Sequence, residues 1–263
     1  MIINSQTKYC SNYYGTWTLF KKEVWRFMKV YHQTVFSPVI NLLLLLAIFS
    51  LSVGTHINAV QDVPFKEFMA AGLIMMAAMQ NAFANSSSSL VMSKVMGHIV
   101  DYLMPPLSAM EILIAFLGGA VLRGLAVGVI AFAAISIFVP LSFYNFGYAL
   151  FSIIFASMFL GLLGILCGIL SNSFDQMSAI TSYLVTPFTF LSGTFYSVEN
   201  LPPFWHKFVA FNPFFYMIDG FRYALTGHND GSILVGAIVM FGCNILLIII
   251  IHHLLKTGYR IKS

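Results

Sequence analysis

The apolar residues of this chain fall into long runs that contain few charges and are separated by short polar segments. About 20 consecutive apolar residues are enough to cross a bilayer as an α-helix. Six runs approach or exceed this length, at residues 34–54, 67–86, 111–136, 148–171, 177–196 and 231–254. The pattern therefore predicts an all-α integral membrane protein with six transmembrane helices, forming a single transmembrane domain over residues 1–263.

Two of the predicted spans carry a polar face at helical spacing. The residues are Asn81, Asn85 and Ser88 in and just beyond the second span, and Ser182, Thr186 and Thr189 in the fifth. Amides and hydroxyls are unfavourable against lipid tails, so each face should meet another helix or a hydrated pathway. Pro187 also interrupts the backbone hydrogen bonds of the fifth span. Both spans are candidates for lining a pathway, with interhelical hydrogen bonding as the alternative.

Two further segments alternate apolar and charged residues with helical periodicity. In residues 13–31 the basic residues lie along one side of a helix and the aromatic residues along another. This is typical of a helix lying along the inner membrane surface. Residues 89–104 predict a short amphipathic helix that ends at a pair of prolines. Its candidate contact residues are Lys94, His98 and Asp101 on the polar face, Leu103 on the apolar face and Pro105 at the end. This helix either lies in the lipid interface or docks into a groove of a partner protein.

Arg123 lies near the middle of the third predicted span. A charge at that depth costs at least about 2.5 kcal/mol, so such residues usually face the interior of a helix bundle. Small residues recur every three or four positions in the third and fourth spans, which predicts close packing of their helices. These residues are Ala120, Gly124 and Gly128, and Ser157, Gly161, Gly164 and Gly168.

Residues 201–227 separate the last two spans with prolines, aromatic residues and charges. Asn212 followed by Pro213 indicates the start of a helix, and Gly227 indicates its end. A helix of this length rises roughly 21 Å, which is less than the ~30 Å thickness of the hydrocarbon layer. We therefore expect a re-entrant helical hairpin on the outer side of the membrane.

Three residues of this hairpin are candidates for a function at the outer end of a pathway. Trp205 belongs to the aromatic residues that suit the membrane interface. Asp219 and Arg222 are spaced i,i+3 and should pair with each other. A gating role and simple anchoring of the hairpin both remain open.

Composition and charge support a membrane protein with a defined orientation. Hydrophobic residues make up 59% of the chain and charged residues only 8%, compared with roughly 25% charged residues in soluble domains. Nine Lys and Arg residues fall in the predicted inner segments and three in the outer ones, which predicts that both termini face the cytoplasm. We expect contact with membrane lipid and none with nucleic acid.

The sequence contains no pattern for catalysis, nucleotide binding or metal binding. It lacks the phosphate-binding loop, the nucleophile elbow and the zinc-protease motif, and its three cysteines are scattered. None of its nine acidic residues lies in the middle of a span, where a coupling ion would bind. We predict no catalytic or metal site, and uphill transport would need energy from another chain. An ion-coupled transporter, a membrane enzyme acting on lipid at the outer face and an assembly subunit without a path are the alternatives.

The chain resembles the membrane-spanning permease subunits of bacterial ABC exporters of the second type. The resemblance rests on the basic N-terminal helix, the six spans and the tail "TPFTFLSGTFYSVENLPPFW" and "NPFFYMIDGFRYALTG", which covers residues 186–205 and 212–227. The chain departs from many members at Ser197, where they carry proline.

This resemblance implies a permease of the bacterial inner membrane that exports an amphipathic, lipid-linked, glycan or drug-like substrate. It implies pairing with a second copy and with separate ABC ATPase subunits, which would bind ATP and Mg, while this chain binds no cofactor. It also implies that residues 89–104 form the coupling helix that docks into the ATPase. In such permeases the second and fifth spans form the path.

Overall fold

The chain folds into an α-helical bundle, as the apolar pattern predicts. The computed structural model describes residues 12–52, 54, 59–60, 63–198 and 202–260. The helices are α1 (Tyr13–Lys29), α2 (Ser37–Ser52), α3 (Phe65–Val95), α4 (Val100–Leu103), α5 (Ala109–Ser136), α6 (Phe146–Leu170), α7 (Phe174–Ile180), α8 (Thr186–Phe190), α9 (Pro203–Phe211), α10 (Pro213–Thr226) and α11 (Ile233–Thr257). Two π-helical segments, His32–Phe36 and Thr181–Val185, lead into α2 and α8. A two-stranded antiparallel ladder pairs β1 (Ala59–Val60) with β2 (Val63–Pro64).

α3 is the centre of the bundle, and most of its side chains are buried. It packs chiefly against α6 and α5, and also against α10 and α2. Glycines make this close approach possible: a Cβ on Gly164 of α6 would lie 2.5 Å from the backbone oxygen of Phe83, and one on Gly124 of α5 would lie 2.9 Å from that of Ala78. The small residues of the third and fourth spans therefore form the seams at which α5 and α6 meet α3.

α1 lies against the bundle with one face covered. The backbone N–H of Asn12 donates to Glu111 at the start of α5, with an N–O distance of 2.6 Å. Leu19, Glu23 and Phe27 are buried, whereas Trp17 is 55% exposed. The helix expected along the membrane surface is present over Tyr13–Lys29, but part of its apolar stripe packs on protein.

Each of the six apolar runs coincides with helix in the described residues. Four helical stretches are long and apolar enough to cross a membrane, namely His32–Ser52, Ala109–Ser136, Phe146–Leu170 and Ile233–Thr257. The other two runs correspond to α3, whose second half is polar, and to the path from α7 to α8, which is short and interrupted. The first predicted span extends to residue 54, but residue 53 lies outside the described part of the chain.

The helix predicted over residues 89–104 differs in the structure. α3 continues without a break to Val95, and the chain then turns through Gly97, whose φ is +73°, into the single turn α4. A left-handed backbone at Gly97 ends the helix because it breaks the α-helical hydrogen-bonding pattern. An amphipathic pattern cannot distinguish a new helix from the extension of an old one.

The fifth run also differs from its prediction, because helix ends at Phe190 and not at residue 196. Beyond Phe190 the chain turns through Gly193, whose φ is +75°. Ser192 and Thr194 donate to the backbone oxygen of Thr189, so side chains take the place of the helical ladder there.

α9 and α10 form the hairpin after this turn. The side chain of Asn212 accepts a hydrogen bond from the backbone N–H of Phe214, which caps the start of α10, and Gly227 ends it with a φ of +77°. α9 is largely exposed, whereas α10 is buried against α6, α3 and α11. Residue 201, where the predicted hairpin begins, lies outside the described part.

Candidate transport groove

An open groove with a volume of about 440 Å³ runs between α3 and the segment from α7 to α8. Four of the polar residues predicted to line a pathway line it, Asn81 and Ser88 from α3 and Ser182 and Thr186 from the facing segment. They meet because helical spacing places each pair on one face and the two helices pack side by side. The structure thus brings together the polar faces of the second and fifth spans.

The two other predicted residues do not face the groove. Asn85 is fully buried on the side of α3 that meets α1, where its Oδ1 accepts a hydrogen bond from Arg26 at 2.9 Å. Thr189 is also buried, and its hydroxyl donates to the backbone oxygen of Val185 at 2.7 Å. Both side chains serve contacts within the protein.

A π-helical segment forms the groove wall opposite α3. Over Thr181–Val185 the backbone is wound more loosely than in an α-helix, and Pro187 follows at the start of α8. π-helical turns inside helices are frequent at functional sites. The segment leaves Ser182 exposed at the groove.

A second cavity of about 310 Å³ lies on the other side of this segment, between it and α6. Its lining is almost entirely apolar and includes Leu163, Leu166 and Phe214. Phe83 and Val185 line both spaces, so the polar groove and the apolar cavity are neighbours with a shared wall.

A buried ion pair behind the groove was not expected from the sequence. Glu23 of α1 is fully buried, accepts a hydrogen bond from Ser89 at 2.8 Å and pairs with Arg26 at 3.3 Å. Arg26 also donates to the backbone oxygen of Asn85 and to the hydroxyl of Ser88. The available signal was Glu23 itself, since it shares a helical stripe with the apolar Leu19 and Phe27.

Arg123 reaches the groove wall from α5. Its side chain is 9% exposed, and its Nη2 donates to Oδ1 of Asn81 at 3.0 Å. The amide of Asn81 in turn donates to the backbone oxygen of Ala77 at 3.0 Å. The bundle therefore encloses the guanidinium of Arg123 next to Asn81, a residue that lines the groove.

The predicted contact residues near α4 occupy different environments. His98 and Asp101 are both exposed and lie 3.4 Å apart, and Pro105 is exposed as well. Lys94, in contrast, points into the protein and donates to the backbone oxygens of Ile169 and Ser171. Leu103 lies in α4, but its side chain is outside the described part.

Lys94 and Arg260 together cap the end of α6. Arg260 donates to the backbone oxygen of Leu170 at 2.9 Å, next to the two oxygens that Lys94 binds. Burial, and then the positive charge of Arg260, lower the pKa of Lys94 from its usual 10.5 to about 8. Lys94 therefore holds the end of α3 to the end of α6, and its ammonium is not free for a partner.

Arg222 lies at the centre of a buried cluster on the hairpin. Its guanidinium is fully buried, stacks 3.7 Å from the centre of the Phe68 ring and donates to the backbone oxygen of Gly193 at 2.5 Å. Asp219 lies 3.7 Å from it and Asp230 lies 4.0 Å from it. Asp219 and Arg222, spaced i,i+3, lie close together as predicted, and Asp230 is a third charged residue beside them.

The same two carboxylates hold the loops around α10. Asp219 accepts hydrogen bonds from the backbone N–H groups of Asp230 and Gly231, each at 2.9 Å. Asp230 accepts from Ser197 at 3.0 Å and from the backbone N–H of Val198 at 2.8 Å. Ser197 thus has a defined role in the turn. Trp205, on α9, is 42% exposed and lies outside this cluster.

The sequence comparisons agree over most of the chain. The model of the ABC-2 type transporter family matches residues 14–226. The inner membrane transport permease YadH of Escherichia coli (strain K12) is 34% identical over 250 residues, which cover 94% of this chain and 96% of YadH. The permease of the same name from Shigella flexneri is similar to the same extent.

These similarities and the long apolar helices agree on a multi-pass protein of the inner membrane. They also assign it to transport, with the ATPase activity in a separate subunit. The family match extends from α1 to the end of α10 and so includes both walls of the groove and, in the hairpin, Asp219 and Arg222. The chain is therefore a membrane-spanning permease subunit of the ABC-2 type transporter family.

Proposed function

We propose that two copies of this chain form an exporter of twelve spans, with both termini of each copy in the cytoplasm. Its substrate is an amphipathic, lipid-linked, glycan or drug-like molecule, and the polar groove between α3 and the α7–α8 segment is part of its path. Separate ABC ATPase subunits supply the energy. The groove is the main observation in support of this proposal, because the polar faces of two predicted spans line one open space there.

A polar wall at membrane depth supports a path for substrate. Hydroxyl and amide groups facing lipid alone would lack hydrogen-bond partners, whereas a hydrated groove supplies them. The volume of about 440 Å³ falls within the ~300–1,000 Å³ typical of small-molecule sites. Leu184, two residues after Ser182, lines the neighbouring apolar cavity, which suits a substrate with both polar and apolar parts.

The cytoplasmic turn around α4 is the proposed docking point for the ATPase. Residues 96–101 are largely exposed and follow directly on α3, so movement of this turn would be passed to one wall of the groove. His98, Asp101 and Pro105 are the proposed contact residues. Lys94 is assigned the different role of holding α3 to α6.

The outer hairpin is proposed to anchor the outer end of the path. The rival enzymatic function at the outer face would need Asp219 or Arg222 to reach a lipid. The two residues are only 4% and 0% exposed and are bound to each other and to backbone groups. Their burial favours a structural role for the pair.

The path can be tested with a cysteine at Ser182, in protein whose three native cysteines are replaced. In proteoliposomes that hold the permease and its ATPase, ATP should change the rate at which Ser182→Cys reacts with a membrane-impermeant maleimide. Gly242→Cys is the control at an exposed position of α11 outside the groove, where no described residue of another element lies within 4 Å of the Cβ position. A rate at Ser182→Cys that does not respond to ATP would contradict the proposed path.

The docking point can be tested separately by co-purification. The tagged permease should retain an ABC ATPase chain, and Asp101→Lys should weaken that association and the coupling of ATP hydrolysis to transport. Asp175→Lys, which makes the same charge change at another exposed turn, should have a smaller effect. Transport driven by a proton gradient in liposomes without any ATPase would overturn the proposal and favour an ion-coupled carrier.

A further inference from the structure

Arg123 carries a buried positive charge without a carboxylate partner. Within the described residues, no Asp or Glu oxygen lies within 4.0 Å of its guanidinium, and its side chain donates to the neutral Asn81. Its buried Nε has no hydrogen-bond acceptor among these residues. Buried arginines are ordinarily paired, because an isolated charge in a low-dielectric interior is strongly unfavourable.

The neighbouring Arg26 shows the usual arrangement. It approaches α3 one turn further along, at Asn85, and pairs with the fully buried Glu23. The region behind the groove therefore holds two guanidinium groups and one carboxylate. The charge of Arg123 is the one left without compensation.

This uncompensated charge lies next to the groove. The Nη2 of Arg123 donates to Oδ1 of Asn81, and Asn81 lines the groove. The groove is also lined by hydroxyl groups such as those of Ser178 and Thr181 and by apolar side chains such as that of Met177, and no acidic residue in the described ranges lines it. Because Arg123 itself is buried, an anion in the groove would be attracted more strongly than by an arginine in bulk water.

We propose that the groove binds the anionic group of an amphiphile, a phosphate or carboxylate, and that Arg123 is the cation that attracts it. The hydrocarbon part of the same molecule would occupy the apolar cavity of about 310 Å³ behind Phe83 and Val185, which the groove adjoins. This inference rests on the proposed function and narrows the substrate from amphipathic molecules in general to acidic ones. It gives Arg123 a role in binding rather than in helix packing alone.

The probe for this site is dodecyl phosphate, an anionic amphiphile with one chain. Permease carrying Ser182→Cys, purified in a neutral maltoside detergent, is labelled with maleimide at increasing concentrations of the probe. Dodecyl phosphate should slow labelling at the groove, whereas dodecyltrimethylammonium, with the same chain and the opposite charge, should not. A parent protein without the added cysteine gives the background.

Two substitutions test the role of the charge. Arg123→Gln removes the cation, and Asn81→Asp keeps it but supplies a carboxylate where Oδ1 now accepts from Arg123 at 3.0 Å. Each should raise the half-protecting concentration of dodecyl phosphate about tenfold or more, as expected for removing the attraction of a partly buried charge. Arg123→Lys keeps the charge, so its half-protecting concentration of dodecyl phosphate should be closer to that of the parent.

The variants separate a binding role from a structural one. Because Asn81→Asp both neutralises Arg123 and adds a negative charge to the groove, weaker protection in that variant supports the inference only together with weaker protection in Arg123→Gln and retained protection in Arg123→Lys. Intact protection in Asn81→Asp would overturn the inference, even if Arg123→Gln fails to fold. Equal protection by the cationic detergent would overturn it too.

The same labelled protein distinguishes this inference from the function on which it rests. If ATP alters labelling of Ser182→Cys but dodecyl phosphate gives no protection, the path stands and the acidic substrate is excluded. If ATP leaves labelling unchanged in the complex with the ATPase, the proposed path fails, whatever the probe does.

Discussion

Gly164 lies where α6 comes closest to α3, and replacing it with alanine should loosen the seam that supports one wall of the groove. The added Cβ would lie 2.5 Å from the backbone oxygen of Phe83 and would also meet the hydroxyl of Ser86. The Phe83 oxygen belongs to the backbone of a buried helix and cannot rotate away. α3 and α6 would have to separate at Phe83, and the Ser86 side chain would have to leave its bond to the oxygen of Gly161, now 2.7 Å.

The cost can be estimated from these contacts. Overpacking by one methyl group in a well-packed interior costs about 1–3 kcal/mol. Loss of the Ser86 bond adds about 0.5–1.5 kcal/mol, and the better helix propensity of alanine returns up to about 1 kcal/mol. The sum is a net loss of about 0.5–4.5 kcal/mol, with a central value of about 2 kcal/mol when the full propensity gain is counted. At about 2–4 °C per kcal/mol for a chain of this size, the unfolding midpoint should fall by roughly 5 °C.

The assay is thermal unfolding of purified protein in detergent, followed by the monodisperse fraction on size-exclusion chromatography. Gly242→Ala is the matched control, because Gly242 also lies within a helix but has no described residue of another element within 4 Å of its Cβ position. Its midpoint should equal or exceed that of the parent. An unchanged midpoint for Gly164→Ala would refute close backbone packing as the reason for glycine at the α3–α6 seam.

Three further substitutions should lower the same unfolding midpoint. Arg222→Ala would leave Asp219 buried without its cation, at a cost of about 3–5 kcal/mol, so little folded protein should elute from the column. Glu23→Gln would remove the carboxylate that pairs with Arg26, and should cost about 1.5–3 kcal/mol by weakening the attachment of α1. Gly97→Ala would force a β-carbon into a left-handed conformation, at a cost of about 1–2 kcal/mol, because φ there is +73°.

Each of these changes has a control in the same chain. Arg222→Lys keeps the charge and should recover part of the stability. Lys29→Gln changes an exposed charge of α1 and should leave the midpoint within error. Gly97→Asn should be milder than alanine, since asparagine tolerates the left-handed region. If each variant and its control had the same unfolding midpoint, the two ion pairs and the left-handed backbone at Gly97 would not account for the loss of stability.

The positions of the helices could be predicted from the sequence because long apolar runs and local end signals determine them. The Asn212-Pro213 pair and Gly227 correspond to the ends of α10 because capping depends on adjacent residues. The continuation of α3 to Val95 could not be predicted, since residues 89–95 suit either a surface helix or an extension. Its end is set by the conformation of one glycine.

The candidate site could be predicted only in part. Spacing placed Asn81, Asn85 and Ser88 on one face of α3, but that face is shared between the groove and α1. The division depends on Arg26, which lies 59 residues before Asn85 in the chain. No local sequence pattern indicates such a contact. The only sign was Glu23, an acidic residue beside the apolar Leu19 and Phe27 on α1, which indicates a polar partner beneath that helix.

The unbroken course of α3 also has a mechanical consequence. Its 31 residues contain no proline and span about 46 Å, enough to reach across the hydrocarbon layer and beyond it. Asn81 lies near the midpoint, so a stiff helix of this length would act as a lever with its fulcrum at the groove. A tilt of about 10° would carry its two ends about 4 Å in opposite directions. The α3 residues of the groove all lie between Gln80 and Ser88, so a push on the end at Val95 would change the width of the groove on that side of the midpoint.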